Sequence, residues 1–392
     1  MHILYFNNGS GLGTAKSGGT TRLIETASRL IRDGVKISIV TTVGAHKLFN
    51  TEKLAANYFI VRASLFGKVE RNNFERMWSY VLSAIHSVII FPRLPACDIV
   101  YSPSDYFCDV IPAVAYKIFH PKVAFVAMVH HLCRPPGQRK GNIFFNRISY
   151  IGQQLSFLLI SRFADQVFVY DTPEGKAIGD YFLERGVVRV KPVANGVPLS
   201  VIDRVPAGEN RFDVCFVGGL RVSKGVYDLI PIWNGVIAHF PMARLAIVGE
   251  GAPSVTEDFR SRLSAARLMN NVTLLGALPS LRLYEVMKAS RMFLSTSHEE
   301  GWGIAICEAL ACGLPVVAFS LPAFGFLEGQ IDEAPLMDHD TIVKKLVSGL
   351  SNTRHLEERG ILGRLFIERF DWDLIALEEL DSLQSISRHD FS

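Results

Sequence analysis

Apolar runs of strand length alternate with amphipathic stretches of helical period along most of the chain. His2-Ile3-Leu4-Tyr5-Phe6 reads as a strand buried on both faces. Gly18-Gly19 then precedes Leu23, Ile24, Ala27, Leu30 and Ile31, spaced as one face of a helix that Gly34 ends. Lys36–Thr41 is the next strand, followed by strands at Ile99–Tyr101, Val123–Val129, Gln166–Tyr170 and Val187–Val193. The pattern restarts with a strand at Asp213–Val217, a Gly218-Gly219 turn and a helix over Val226–Ala238. Strands at Leu245–Val248, Val272–Leu275, Met292–Leu294 and Pro315–Phe319 complete it. Such alternation predicts an α/β protein with parallel sheets covered by helices on both faces. The stretch Asn195–Asn210, with Pro198, Pro206 and Gly208, reads as the junction. The expectation is two doubly wound, Rossmann-like domains facing a cleft: residues 1–198, residues 199–370, and a terminal helix over 371–392 that can cross back to the first domain.

Composition agrees with large cores: of 392 residues, 49% are hydrophobic and 20% charged. The apolar stretch from Met77 to Phe91 is interrupted by Ser79, Ser83, His86 and Ser87. It falls short of the roughly 20 residues a spanning helix needs. The N-terminal residues show no signal-peptide pattern, and six scattered cysteines without a Cys-x-x-Cys pair read as free thiols, so a cytoplasmic protein is expected. The net charge of +3 hides an asymmetry. Residues 1–195 carry 23 Lys and Arg against 13 Asp and Glu, and the remainder 18 against 25. Between Val110 and Ala164 there are seven basic residues and no acidic one. A basic domain of this kind suits an anionic surface or substrate, or simply a solvated basic surface.

The densest chemistry lies between Ser297 and Ala318. Glu300 sits in a glycine-rich turn, and Glu308 about one turn inside the helix that opens near Ile304. Free N–H groups at a helix start suit a phosphate, and carboxylates accept paired hydrogen bonds from neighbouring hydroxyls. The pair predicts an anionic, hydroxyl-rich ligand. Glu308 is also the only charge between Gly301 and Leu327, which makes a bland buried role costly. Gly218-Gly219-Leu220-Arg221-Val222-Ser223-Lys224-Gly225 places two cations between a strand and a helix, as a pyrophosphate clamp would; a solvated basic loop is the alternative. Gly251, Ala277 and Leu278 follow strand ends, where ligands of such sheets bind. The Gly9–Gly13 cluster lacks the dinucleotide spacing, and Gly18-Gly19 fits a close phosphate approach better. His130-His131 ends a strand, with His130 expected to face a ligand. Asp338-His339-Asp340 reads as helix capping by Asp340 rather than as a metal site. Arg139, Lys140 and Arg147 interleave with Ile143, Phe144, Phe145, Tyr150 and Phe157 as at a membrane interface, or as a core helix with a basic outer face.

Together these residues resemble the retaining glycosyltransferases of family 4, also called glycosyltransferase group 1, with the GT-B fold. The motifs are Gly18-Gly19, Asn195-Gly196-Val197, Phe216–Leu220 with Lys224-Gly225, Val248-Gly249-Glu250-Gly251, Val272–Gly276, the Glu300–Glu308 segment through Ala318, and Arg369-Phe370-Asp371-Trp372. The resemblance implies that Lys224 binds the donor diphosphate, Glu308 the ribose and Glu300 the sugar hydroxyls. It places the Gly303 and Ile304 N–H groups near the distal phosphate, Gly19 near the diphosphate and His130 near the reacting centre. The family often has an arginine where this chain has Gly219; Arg221 stands two residues on. It further implies a nucleotide-sugar donor, a glycan or lipid-linked acceptor in envelope polysaccharide or glycolipid synthesis, no cofactor or metal, no nucleic acid, and work at the inner face of the cell membrane. A sugar-nucleotide epimerase or hydrolase, which needs no acceptor, and a non-catalytic scaffold are the alternatives.

Overall fold

The computed structural model describes residues 1–9, 17–62, 73–133, 135–138, 143–206, 208–209 and 211–389. Gly11, Gly13, Arg134, Arg139 and Lys140 lie outside them. The chain forms two units, residues 1–194 with 373–392, and residues 195–372.

The first unit runs β1 (His2–Asn7), α1 (Gly18–Arg32), β2 (Lys36–Thr42), α2 (Val43–Thr51), β3 (Asn57–Val61), α3 (Asn73–Ile89), β4 (Ile99–Ser102), α4 (Phe107–Phe119), β5 (Ala124–Val129), α5 (Ile143–Phe163), β6 (Gln166–Tyr170), α6 (Pro173–Leu183) and β7 (Val190–Val193). Its sheet is parallel, in the order β3-β2-β1-β4-β5-β6-β7. The second unit follows with α7 (Leu199–Ile202), β8 (Phe212–Val217), α8 (Leu229–His239), β9 (Leu245–Val248), α9 (Pro253–Ala265), β10 (Val272–Gly276), α10 (Ser280–Lys288), β11 (Ser290–Ser295), α11 (Ile304–Ala311), β12 (Val316–Phe319), β13 (Asp332–Ala334), α12 (His339–Ser351) and α13 (Thr353–Ile367). Its parallel sheet has the order β10-β9-β8-β11-β12-β13. The terminal helix α14 (Trp372–His389) continues from residue 373 as part of the first unit. Both sheets are doubly wound, as the alternation predicts.

The differences from expectation lie at edges and ends. β3 and β13 are edge strands. β13 is the short, acidic Asp332-Glu333-Ala334 and lacks the apolar run of a central strand; β3, partly exposed, does carry one over Tyr58–Val61, which the pattern reading omitted. β7 starts at Val190 rather than Val187, whose N–H is bonded back to the Phe182 carbonyl at the end of α6 at 3.1 Å. The helix expected from Val226 begins at Leu229, after a 3-10 turn over Val226–Asp228. Asp338, not Asp340, caps α12. The helix starts two residues earlier than read, and the Asp338 carboxylate accepts from the Thr341 N–H at 3.0 Å.

Each sheet buries an apolar face. In the first unit Leu4, Phe6, Val100, Phe125 and Val167 pack with Val110, Tyr116, Phe157 and Phe182. In the second, Phe216, Ile247 and Phe319 pack with Trp233, Phe259 and Leu346. The first sheet's alternate positions are different in kind. Tyr5 and Tyr101 stack 4.8 Å apart, and the Tyr101 hydroxyl donates to Glu379 of α14 at 3.0 Å. Glu379 also forms a buried ion pair with Arg22 of α1. This polar seam ties the C-terminal helix to the first turns of α1.

Candidate functional site

In the second unit the loop after β8 and the loop after β11 are stitched together. Gly225 has φ +65°, and an added Cβ would lie 1.8 Å from the Thr296 carbonyl oxygen, so only glycine fits this crossing. The Thr296 hydroxyl donates back to the carbonyls of Lys224 (3.1 Å) and Gly225 (2.9 Å). The His298 N–H donates to the Ser223 carbonyl at 2.9 Å. These backbone contacts bring Lys224 to Glu300, 76 residues apart in sequence, as a half-buried ion pair. The same Glu300 oxygen accepts from the Ser297 hydroxyl at 2.7 Å.

Asp228 holds the crossing from below. Its two carboxylate oxygens accept from His298 Nε2 at 2.7 Å and His339 Nε2 at 2.8 Å. Each imidazole therefore carries its proton on Nε2 when neutral. One histidine belongs to the Glu300 loop, the other to the start of α12.

Gly303, at φ +91°, is the N-cap of α11 and packs against Phe324. Trp302 stacks on Phe326 at 3.9 Å, with Phe370 at its edge. That aromatic cluster anchors the turn. It also gives a physical reason for the late Phe370-Asp371-Trp372 run, since Phe370 O accepts from Val197 N at 2.8 Å and Trp372 packs on Gly196. Ile304 opens the helix, and Glu308 lies within it, accepting from the Tyr284 hydroxyl of α10 at 2.8 Å.

Arg221 folds back over Gly219: a Cβ added there would sit 3.2 Å from Arg221 Nε. The guanidinium thus covers the position where the family often carries its arginine. Gly251 lines a cavity of about 660 Å³ with Gly249, Glu250, Leu275 and Gly276, at the carboxyl ends of β9 and β10. Leu278 is half-buried just beyond it and does not line it.

In the first unit Gly19 and His130 come together. Gly19 lies in the first turn of α1, which Ser17 caps. A Cβ on Gly19 would approach His130 Nε2 to 2.9 Å. His130 Nε2 is 2.8 Å from the Pro103 carbonyl and Nδ1 is 2.9 Å from the Tyr170 hydroxyl. A carbonyl only accepts, so Nε2 carries the proton and Nδ1 accepts from tyrosine. Burial, opposed by Asp105 and the Pro103 hydrogen bond, holds the imidazole pKa down at about 4. His131 is exposed. Beneath the loop after β1, the buried Asp109 carboxylate accepts from the Asn8 and Gly9 N–H groups and from Ser104. Burial outweighs these bonds and pushes its pKa up to about 7.

The sequence reading missed Asp228, His298, Tyr284, Ser297, Arg22, Glu379 and Asp109. Ser297 and His298 flank the recognised segment, and Asp228 is a charge opening an apolar helix four residues after Lys224. Those signals were available. Nothing local marks Glu379 as the partner of Arg22, 357 residues away.

The model of the family described as Glycosyl transferases group 1 matches residues 211–352. A GDP-mannose:cellobiosyl-diphosphopolyprenol alpha-mannosyltransferase of Xanthomonas oryzae pv. oryzae is 23% identical over 250 residues, 62% of this chain and 65% of that protein. A phosphatidyl-myo-inositol mannosyltransferase of Mycobacterium leprae is 26% identical over 204 residues, 50% of this chain and 53% of that protein. The matched part thus spans just under two thirds of the first relative and about half of the second. Anabaena HepE, solved with UDP and glucose, superposes with a TM-score of 0.74 at 18% identity over 98% of this chain and 100% of its own. Sucrose-phosphate synthase from Thermosynechococcus elongatus does so with 0.76 at 15% identity over 98% and 99%. The fold is therefore GT-B, and residues 211–352 of the second unit match the group 1 glycosyltransferase model.

Proposed function

We propose that the protein transfers a sugar from a nucleotide-sugar donor to a hydroxyl of a glycan or lipid-linked acceptor, with retention of anomeric configuration and without a metal ion. The observation that carries this reading is the convergence of Lys224, Ser297 and Glu300 on one carboxylate oxygen, with Glu308 four residues inside the adjacent helix. Donor binding exchanges partners there. The diphosphate takes Lys224 Nζ, with Arg221 and the Gly303 and Ile304 N–H groups beside it, and Glu300 turns to the sugar hydroxyls. Glu308, oriented by Tyr284, accepts from the ribose diol. Gly251 lines the wall for the nucleoside, with Leu278 just beyond it.

In the transfer the acceptor oxygen bonds to the anomeric carbon as the bond from that carbon to the distal phosphate oxygen breaks. The electron pair leaves with the nucleoside diphosphate, which takes the acceptor's proton. Lys224, Arg221 and the start of α11 stabilise the departing charge in the place a metal would otherwise fill. His130, neutral and engaged at both nitrogens, is given no proton to move; with Gly19 it shapes the substrate-facing surface of the first unit. The lipid diphosphate and phosphatidylinositol acceptors named for two relatives favour a lipid-linked acceptor, and with it a place on the anionic inner face of the cell membrane.

A screen of nucleotide sugars, reading nucleoside diphosphate release with and without membrane extract, tests the proposal. Release that requires both a donor and extract, and that persists in EDTA, is expected. Release without acceptor would instead indicate the epimerase or hydrolase reading. Demonstration of an inverted product would overturn the stereochemical part alone.

A further inference from the structure

α3 is turned inside out. Its small polar residues Ser79, Ser83 and Ser87, four apart, are fully buried, with Ala84 beside them. Its large apolar residues Phe74, Trp78, Ile85 and Ile89 form the opposite stripe and are 54%, 50%, 52% and 66% exposed. Spacings of four and seven place each set on one helix face. A helix of a water-facing protein does the reverse. The orientation is held by specific contacts. Ser87 Oγ accepts from the Asn8 side chain at 3.0 Å, Ser83 donates to the Tyr80 carbonyl, and Tyr80 packs on Tyr106 and Phe107 at the start of α4.

The neighbouring surface continues the stripe. α4 packs between α3 and α5. α5 exposes Ile143, Phe144, Ile151, Leu155 and Leu158, with Arg147 among them. Apolar exposure on this scale marks an interaction surface. The charge on α5 points to the partner: Arg147 and Arg162 are exposed there, and in sequence residues 110–164 hold seven basic residues and no acidic one. Aromatic and aliphatic side chains beside exposed cations match the acyl–headgroup boundary of an anionic bilayer. Among the described residues no helix is long and apolar enough to cross a membrane, so contact would be with the surface.

We propose that the exposed face of α3, continued by α5, seats the first unit on an anionic lipid surface, with Trp78 inserted into the headgroup region. The inference deepens the reading of a lipid-linked acceptor and rests on it for its purpose, but not for its test. Of the four tryptophans, Trp233, Trp302 and Trp372 are buried and Trp78 alone is exposed, so intrinsic fluorescence reports on this face directly.

The experiment adds vesicles of phosphatidylcholine with phosphatidylglycerol, or of phosphatidylcholine alone, to the full chain without donor or acceptor, and reads emission and co-sedimentation. The expected result is a blue shift and sedimentation with the mixed vesicles, weakened by salt. Trp78→Phe should keep sedimentation and lose the shift. Ile85→Glu with Ile89→Glu should weaken binding by about tenfold or more, since the apolar face supplies most of an interfacial helix's affinity. Both positions are exposed, so an unchanged melting temperature separates this loss from unfolding. Unshifted emission and no sedimentation at low salt would overturn the proposal. So would a dimer that masks Trp78 and excludes vesicles, which would assign the face to a second copy. Neither outcome touches the transferase reading, which nucleoside diphosphate release decides by itself.

Discussion

Each unit contains a Glu paired with a cation brought from far away in sequence, and the two pairs differ in exposure. Arg22 and Glu379 in the first unit are sealed, with side chains 4% and 2% exposed. Lys224 and Glu300 in the second are 23% and 16% exposed. The sealed pair has its remaining valences filled from within: Arg22 also donates to the Ala194 carbonyl, and Glu379 accepts from Tyr101. Such a pair can fix geometry but cannot change partners. The open pair sits at a loop crossing beside a helix start, where its exposure lets water reach it. Its cation and carboxylate are separately useful once parted. The comparison teaches that pairs of the same chemistry can differ in accessibility, and that the accessible one is the pair free to exchange its partner for a ligand, as proposed.

The largest expected effect on folding comes from unsealing the first pair. Arg22→Ala leaves Glu379 buried without its cation, and destabilisation of about 3–5 kcal/mol is expected from chemical denaturation. A loss below about 1 kcal/mol would show the pair to be solvated after all. A middle-sized effect separates the two histidines on Asp228. His298→Leu removes the Asp228 bond from the links between the Lys224 and Glu300 loops and should raise the donor KM by roughly tenfold, about the worth of one charge-assisted hydrogen bond. His339→Leu breaks an equivalent bond on the α12 side and should leave KM close to wild type. Equal effects would mean that Asp228 supports the fold without positioning the loops.

The smallest effect is a pH slope. Asp109, raised to about 7, favours its neutral form when folded. Its contribution to stability is complete below the ordinary aspartate range and is lost as pH rises through 7. Melting temperature should therefore fall by a few degrees between about pH 5 and 8 relative to Asp109→Asn, whose carbonyl can still accept from the loop N–H groups. The difference between the two proteins is the quantity to read, because the opposite contribution of His130 then cancels. A flat difference would place the carboxylate in a wetter environment than its burial indicates.

What could be read from the sequence follows the range of the interactions. The central strands were legible because both faces of each are buried, so their apolar runs are unbroken. β13 was not, because its acidic three-residue edge strand has no such run; the Tyr58–Val61 run of β3 was legible and was missed. Glu300, Gly303, Ile304 and Glu308 could be placed together since nine residues of one turn and helix contain them all. Lys224 stood out by its glycine-flanked loop, but its union with Glu300 depends on two strands being neighbours in the sheet. The inverted polarity of α3 was invisible for a different reason. Its spacing shows an apolar face and a serine face, and only the packing on α4 tells which of them looks inward.

The central claim is that the Lys224–Glu300 crossing is where the donor is held and reacts. It is tested most directly by nucleoside diphosphate release from the cognate donor with acceptor present, comparing wild type, Glu300→Ala and Lys224→Ala. Losses of about 100-fold or more in kcat/KM are predicted for both variants, the scale of removing a group that stabilises a developing charge, with the fold intact by melting temperature. Release at wild-type rates from either folded variant would contradict the account.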